Sequence, residues 1–204
     1  MNPLRRELEI VADWIEPGSR VLDLGCGDGA LLEYLVERKG VTAYGLEIDP
    51  RKVNRCLERG VNVVRADLDE GLGDFHCDSF DHVIMSQTIQ AVRYPDKLIE
   101  DLLRVSHHGI VTFPNMGYWR LRVQLLLGGS MPRSPALPNA WYNSPNIHLC
   151  TVRDFEQLCA SMGVEIVERR LLDRAHRSTP LIDLAPNLLG EVAIYRFVRG
   201  TQSL

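Results

Sequence analysis

The chain has 204 residues, of which 45% are hydrophobic, and its formal net charge is −4 at pH 7. That length fits one globular domain with a substantial core, and acids interspersed with bases exclude a general attraction to nucleic acid or anionic membrane, leaving small molecules or proteins as partners. Met1 to Glu7 lacks the apolar core of a secretory signal, no run reaches transmembrane length, and the five cysteines form no C-x-x-C pair, so a cytoplasmic protein with reduced thiols and no zinc site is expected.

Leu4, Leu8, Val11 and Ile15 share a helical stripe, and Pro17-Gly18 then turns the chain into a short apolar strand that carries Asp23. A glycine-rich turn, Gly25-Cys26-Gly27-Asp28-Gly29, follows, and the next helix places Leu31, Leu32, Leu35 and Val36 on one face. Strand-like runs recur at 41–47, 61–65, 80–86 and 109–113, with helical patterns between most of them, including a stripe of Leu98, Leu102 and Val105. Such alternation predicts right-handed crossovers and a mostly parallel sheet covered on both faces.

After Pro114 the texture changes. Residues 117–127 predict an apolar-sided helix, and Gly128-Gly129 with four prolines from Pro132 to Pro145 then break regular structure as far as His148. Thr151 is a plausible N-cap for a helix bearing Phe155, Leu158 and Met162, which Gly163 ends before a strand at 164–167. A loop at 173–190 and a last strand at 191–198 complete one expected domain over 1–204, with an aromatic and proline-rich insert at about 114–150.

Glycines at alternate positions between a strand and a helix let the backbone approach a ligand closely and present helix N-terminal amides to it. Gly25, Gly27 and Ala30 match the G-x-G-x-x-A form of the dinucleotide fingerprint, and Glu47 lies 20 residues beyond Gly27, where a ribose-binding acid belongs. Asp23 separates the candidate cofactors. A carboxylate beside a pyrophosphate is repelled, whereas S-adenosylmethionine carries a sulfonium and an ammonium and no phosphate, which favours it over a nicotinamide dinucleotide.

The candidate cofactor-binding residues follow from this placement. Glu47, at the end of the second strand, has two oxygens for the ribose hydroxyls, with a solvated helix-capping acid as its rival role. Asp49 before Pro50 reads as a helix cap. Asp67 can accept from an exocyclic adenine amine while Leu68 covers a ring face, or it serves as a surface-loop acid. Cys26 and Ile48, beside these residues, complete the set together with Ser86; Ser86 and Gln87 end the strand from Phe80 and can reach the reacting group, or only satisfy local backbone.

The order D-L-G-C-G-D-G, G-L-E-I-D, A-D-L and F-D-H-V-I-M-S resembles the class I S-adenosylmethionine-dependent methyltransferases from about Ser19 to Phe197. The resemblance implies a Rossmann-like three-layer α/β fold, with a seven-stranded mostly parallel sheet and an antiparallel edge, and cofactor roles for Asp23, Gly25, Gly27, Glu47, Asp67 and Leu68. A closer resemblance covers nearly the whole chain. V-L-D-L-G-C-G-D-G-A-L-L, M-S-Q-T-I-Q-A-V, F-P-N-M-G-Y-W and W-Y-N-S-P-N-I-H together look like the methionine biosynthesis protein MetW family, and generic methyltransferases lack the last two segments. That resemblance implies association with a homoserine O-acyltransferase and support of its activity.

Methyl transfer from a sulfonium relies mainly on positioning, so the sequence can conceal it. No Asn/Asp-Pro-Pro-Tyr motif occurs, and Ala91 stands where many small-molecule methyltransferases carry a histidine in E-H-V-P-D-P. His107-His108 is expected at a helix C-terminus, where imidazolium charge is favoured, rather than at a metal. In the insert, Tyr118, Trp119, Arg120, Arg122, Arg133, Trp141, Tyr142 and His148 fit a protein-partner surface, a lid over a small substrate, or a packed satellite cluster. The leading expectation is a methionine-biosynthesis protein that binds S-adenosylmethionine (or S-adenosylhomocysteine) and supports the acyltransferase. The alternative is an active methyltransferase on a small carboxylate or amino acid, with Arg122 or Arg120 as the substrate anchor.

Overall fold

The computed structural model describes residues 4–200. Strands β1 (Arg20–Leu24), β2 (Thr42–Glu47), β3 (Asn62–Arg65), β4 (Phe80–Ser86), β5 (Ser106–Pro114), β6 (Val164–Leu172) and β7 (Val192–Arg199) form one sheet in the order β3-β2-β1-β4-β5-β7-β6. Pairings from β3 through β5 are parallel, and β7 runs antiparallel to both β5 and β6, which gives the expected antiparallel edge. Strands β1, β4 and β5 carry the long buried runs that a doubly covered sheet requires.

Helices α1 (Arg6–Asp13), α2 (Ala30–Lys39) and α3 (Pro50–Glu58) cover one face, where Leu8, Val11, Leu32, Leu35 and Cys56 pack on Ile84, Ile110 and Ile194. Helices α4 (Pro95–Val105) and α6 (Val152–Ser161) cover the other, and Phe155 of α6 lies 5.1 Å from Phe113 and 4.8 Å from Tyr195, ring centre to ring centre. Asp49 caps α3 as expected, accepting from Arg51 N at 2.9 Å with Pro50 at the first helical position. Thr151 caps α6 in a reciprocal capping box with Asp154.

Several expectations change. β5 begins at Ser106, so His107 and His108 are strand residues rather than helix-terminal ones, and the His108 ring stacks on His82 of β4 at 5.1 Å. β6 runs to Leu172 rather than ending near 167; antiparallel pairing with β7 sustains it through the charged stretch Glu168–Arg170, past a bulge between Ile166 and Glu168. The stretch 173–190 contains two short helices, α7 (Pro180–Leu184) and α8 (Pro186–Leu189), each opened by a proline at a position that lacks an intrahelical donor requirement. Val36 leaves the buried stripe of Leu31, Leu32 and Leu35 and is exposed.

Helix α5 (Trp119–Gly128) forms where a helix was expected, but its apolar side chains do not join the core. Only Leu121 is buried, and Leu126 and Leu127 are 82% and 81% exposed. Asn115, one residue past β5, ties this region down. Fully buried, it donates to the carbonyls of Asn187 (3.2 Å) and Gly190 (2.7 Å) and accepts from Gly117 N (2.9 Å) and Val152 N (3.1 Å).

Candidate functional site

The site lies at the carboxyl ends of β1, β2 and β4, where open α/β sheets place ligands. After β1 the chain enters the glycine turn with φ of +75° at Gly25 and +63° at Gly27, the left-handed region that favours glycine. A Cβ on Gly25 would also stand 2.6 Å from Thr88 Oγ1, so both conformation and space require glycine there. Gly25 N and Cys26 N donate to Leu46 O at 2.8 and 3.0 Å, fastening the turn to β2.

Glu47 braces the same turn from the end of β2. Its carboxylate is buried and accepts from Gly27 N, Ile48 N and Asp49 N, each at 3.0 Å, with Lys52 Nζ 3.7 Å away. Three of about four acceptor positions on the carboxylate are thereby engaged with backbone. The acid thus has a structural duty that spacing alone did not reveal.

A cavity of about 670 Å³ opens beside these groups, within the usual range for a small-molecule site. Asp23, Gly25, Cys26, Gly27, Glu47, Ile48, Asp67, Leu68 and Ser86 all line it, so the structure gathers every residue of the expected cofactor set from three strand ends and the segment after β3, and the substrate or partner candidate Gln87 lines it too. Asp67 also caps a short 3-10 turn, accepting from Asp69 N at 3.0 Å. Ser86 Oγ lies 3.2 Å from Thr112 Oγ1, and Gln87, at φ +57°, donates its backbone N–H to Thr112 O and Oγ1.

Asp23 is the electrostatic centre. It is 2% exposed, and its Oδ1 has no hydrogen-bond partner. Burial, reinforced by the negative charge of Glu47, pushes its carboxyl up to about 7. Burial and the neighbouring Asp23 also drive the Cys26 thiol far above its ordinary range, so its 3.8 Å approach to Cys56 Sγ is a packing contact between inert thiols.

The walls include residues that the sequence did not single out. Tyr34 lies one helical turn past Ala30 and therefore shares its face, a signal present in the spacing. Thr88 and Arg5 contribute as well, Leu4 and Leu8 of the N-terminal apolar stripe add to the wall, and from the insert come Pro145 and Asn146. No periodicity marks those two.

The aromatic and basic candidates of the insert stand elsewhere. None of Tyr118, Trp119, Arg122, Trp141, Tyr142 or His148 lines the cavity. Tyr118 is buried in a satellite cluster with Leu121 and Leu137, which is the packing role. Arg122 donates to the carbonyls of Gly117 and Asn187, the Arg120 guanidinium lies 5.2 Å from the centre of the Trp119 ring, and neither arginine lines the cavity. Trp141 and Tyr142 are 77% and 73% exposed. Trp141→Ala is accordingly expected to change unfolding free energy by no more than about 0.5 kcal/mol; a larger loss in urea denaturation would restore the packing role for this side chain.

Among the described residues, no cluster of three or more His, Cys, Asp or Glu is placed to hold a metal ion, and no helix is long and apolar enough to cross a membrane. The model of one protein family, methionine biosynthesis protein MetW, matches residues 5–197. The chain belongs to the MetW family. A bifunctional methionine biosynthesis protein MetXA/MetW from Rhodopirellula baltica is 34% identical over 202 residues, 94% of this chain and 32% of that protein. A ubiquinone biosynthesis O-methyltransferase from Hahella chejuensis is 35% identical over 119 residues, 55% of this chain and 49% of the relative. The chain thus spans 32% and 49% of the length of these curated relatives.

An S-adenosylmethionine-dependent methyltransferase from Mesorhizobium loti superposes with a TM-score of 0.69 at 20% identity, covering 95% of this chain and 97% of the other. The fold is therefore the Rossmann-like methyltransferase fold. The segments that resemble MetW converge in space. The glycine turn, the end of β4 and residues 145–146 share the cavity wall, Ile147 and His148 bond the Gln90 carbonyl, and Met116, beside Asn115, donates its backbone N–H to Cys150 O.

Proposed function

We propose that this MetW-family protein binds S-adenosylmethionine in the cavity beside Asp23 and supports a homoserine O-acyltransferase by associating with it. The observation that carries the partner half is the Rhodopirellula baltica relative, whose description places MetXA and MetW in a single chain. Such joining keeps two activities at high effective concentration, which is useful when the separate proteins meet.

The residues present fit the cofactor. A buried carboxylate with an unpartnered oxygen favours a cationic ligand, the glycine turn admits close backbone approach, and Asp67 and Leu68 supply an acceptor and an apolar wall for a purine. Asp23 would hold the cationic amino-acid moiety, Glu47 would offer its remaining acceptor capacity to the ribose, and Ser86 and Gln87 would face the transferable group. When bound, the cofactor supplies an electrophilic methyl on sulfur. Asp23 holds charge, Glu47 holds the turn, and Ala91 contributes no acid or base to the cavity wall.

The likeness to the ubiquinone O-methyltransferase favours a second reading, an active methyltransferase. Turnover of a small acceptor by the purified chain alone would support it over the first. A fold of this kind hosts many activities, so the resemblance decides only that the experiment is worthwhile.

Asp23 also makes a pH prediction. Its carboxyl is raised to about 7, so below that pH it is mostly protonated and neutral, and above it is anionic. Affinity for cationic S-adenosylmethionine should therefore rise with pH from about 6 and level off near 8. In the ligand-free protein the sign is opposite: the native state retains this proton longer than the unfolded chain, so Asp23 lowers stability as pH rises toward 7. Calorimetry across this range checks the first statement, and Asp23→Asn should flatten the profile; a flat wild-type profile would contradict the role.

A further inference from the structure

Gln90 sits in a short 3-10 turn, Ile89–Ala91, which follows β4 after Gln87 and Thr88, and is not itself part of the cavity wall. It is buried, its Nε2 donates to Gln87 Oε1 at 3.3 Å, and its own Oε1 has no partner. Gln87 is the cavity residue held in left-handed backbone, a costly conformation for any residue other than glycine. The side chain of Gln90 therefore orients a carboxamide that faces ligand space.

The backbone of Gln90 reaches the other way. Its carbonyl accepts from both Ile147 N (2.9 Å) and His148 N (3.0 Å), and His148 Nε2 lies 3.3 Å from Arg93 O, two residues past the turn. Asn146, the preceding residue, lines the large cavity and also a second cavity of about 100 Å³, walled by Met116, Met131, Leu137, Trp141 and Leu149. One residue thus holds a cavity side chain with its amide and the insert with its carbonyl, and the insert carries the exposed Trp141 and Ile147 on beyond it.

We propose that Gln90 is a positioning residue that couples occupancy of the cofactor cavity to the placement of residues 145–149, and through them to the partner-facing surface of the insert. The inference rests on the preceding reading of the cavity as a S-adenosylmethionine site. Ligand contact with Gln87 or Asn146 biases the Gln87–Gln90 pair, and the shared carbonyl transmits that bias to the Ile147 and His148 amides. A ligand shifts the insert only as far as it binds its two placements unequally, and the partner feels the same coupling in return.

Hydrogen exchange of the full chain tests this without the partner, using S-adenosylhomocysteine as probe. In wild type, saturation with the probe is expected to slow exchange at Ile147 and His148 by about tenfold, within the ordinary range of coupling between sites. In Gln90→Met, which keeps the side chain's length but cannot donate to Gln87, the probe should bind within about twofold of wild type while the response at 147–148 is lost. Wild type that binds the probe without any change at 145–149 overturns the coupling and leaves the cofactor reading standing. A Gln90→Met response equal to wild type also overturns it. Failure of wild type to bind the probe overturns the cofactor reading itself. Should Gln90→Met not fold, Gln90→Leu takes its place with the same expected and overturning results, because it too cannot donate to Gln87.

Discussion

Asn115→Ala is expected to lower the free energy of unfolding by about 3–5 kcal/mol, the largest effect of any single substitution considered. The side chain is fully buried and satisfies four backbone groups: the carbonyls of Asn187 and Gly190 and the amides of Gly117 and Val152. Alanine leaves the Gly190 carbonyl and the Gly117 and Val152 amides without this partner, while Asn187 O keeps the Arg122 guanidinium at 3.4 Å, and each orphaned group costs about 1–3 kcal/mol before relaxation. These contacts join the end of β5, the start of α6 and the end of α8. Gly117 tightens the junction, since a Cβ there would stand 2.5 Å from Asn187 Oδ1 and 2.7 Å from Asn187 O. Urea denaturation checks the prediction; a loss under about 1 kcal/mol would mean that the junction relaxes or hydrates and is not a keystone.

Glu47→Ala is expected to weaken S-adenosylmethionine by about 30- to 100-fold, roughly 2–3 kcal/mol. Two losses combine. The carboxylate no longer offers an acceptor to the ribose, and the Gly27, Ile48 and Asp49 amides lose the brace that shapes the turn. Lys52 adds little, because it stands 3.7 Å away and its side chain is 48% exposed. Glu47→Gln should lie between wild type and alanine, since it keeps the volume and one acceptor oxygen. Unchanged affinity in calorimetry would remove Glu47 from the cofactor site.

The central framework was legible because the signals were periodic and local. Buried strand runs and helical stripes located β1 through β5, and the glycine spacing alone put the turn and Asp23 at the carboxyl edge. Glu47 was located by its distance from the turn, yet its hold on three amides was not, because a carboxylate's partners depend on how β2 meets the turn. The charged stretch Glu168–Arg170 hid the second half of β6, whose pairing with β7 comes from tertiary context. Residues 129–150 offered no period at all, so nothing in their order revealed that Asn146 enters the cavity while Trp141 stays outside it.

Composition left the insert open among a partner surface, a lid and a packed cluster. Its residues divide among these roles: Tyr118 turns into a satellite core, Arg122 binds backbone carbonyls, and Trp141 and Tyr142 face solvent. One stretch therefore divides between packing and exposed apolar surface. Exposed apolar side chains of that size, with Leu126 and Leu127 on α5, are what a protein-partner face presents.

The measurement that tests the central claim most directly is calorimetric titration of the purified protein with S-adenosylmethionine and S-adenosylhomocysteine, alone and with the homoserine O-acyltransferase of the same organism. Binding in the cavity with a dissociation constant that changes about fivefold or more when the acyltransferase is present is the predicted result. Binding indifferent to the acyltransferase would contradict the supporting role and direct attention to methyl acceptors, and absence of binding by either ligand would contradict the cofactor site itself.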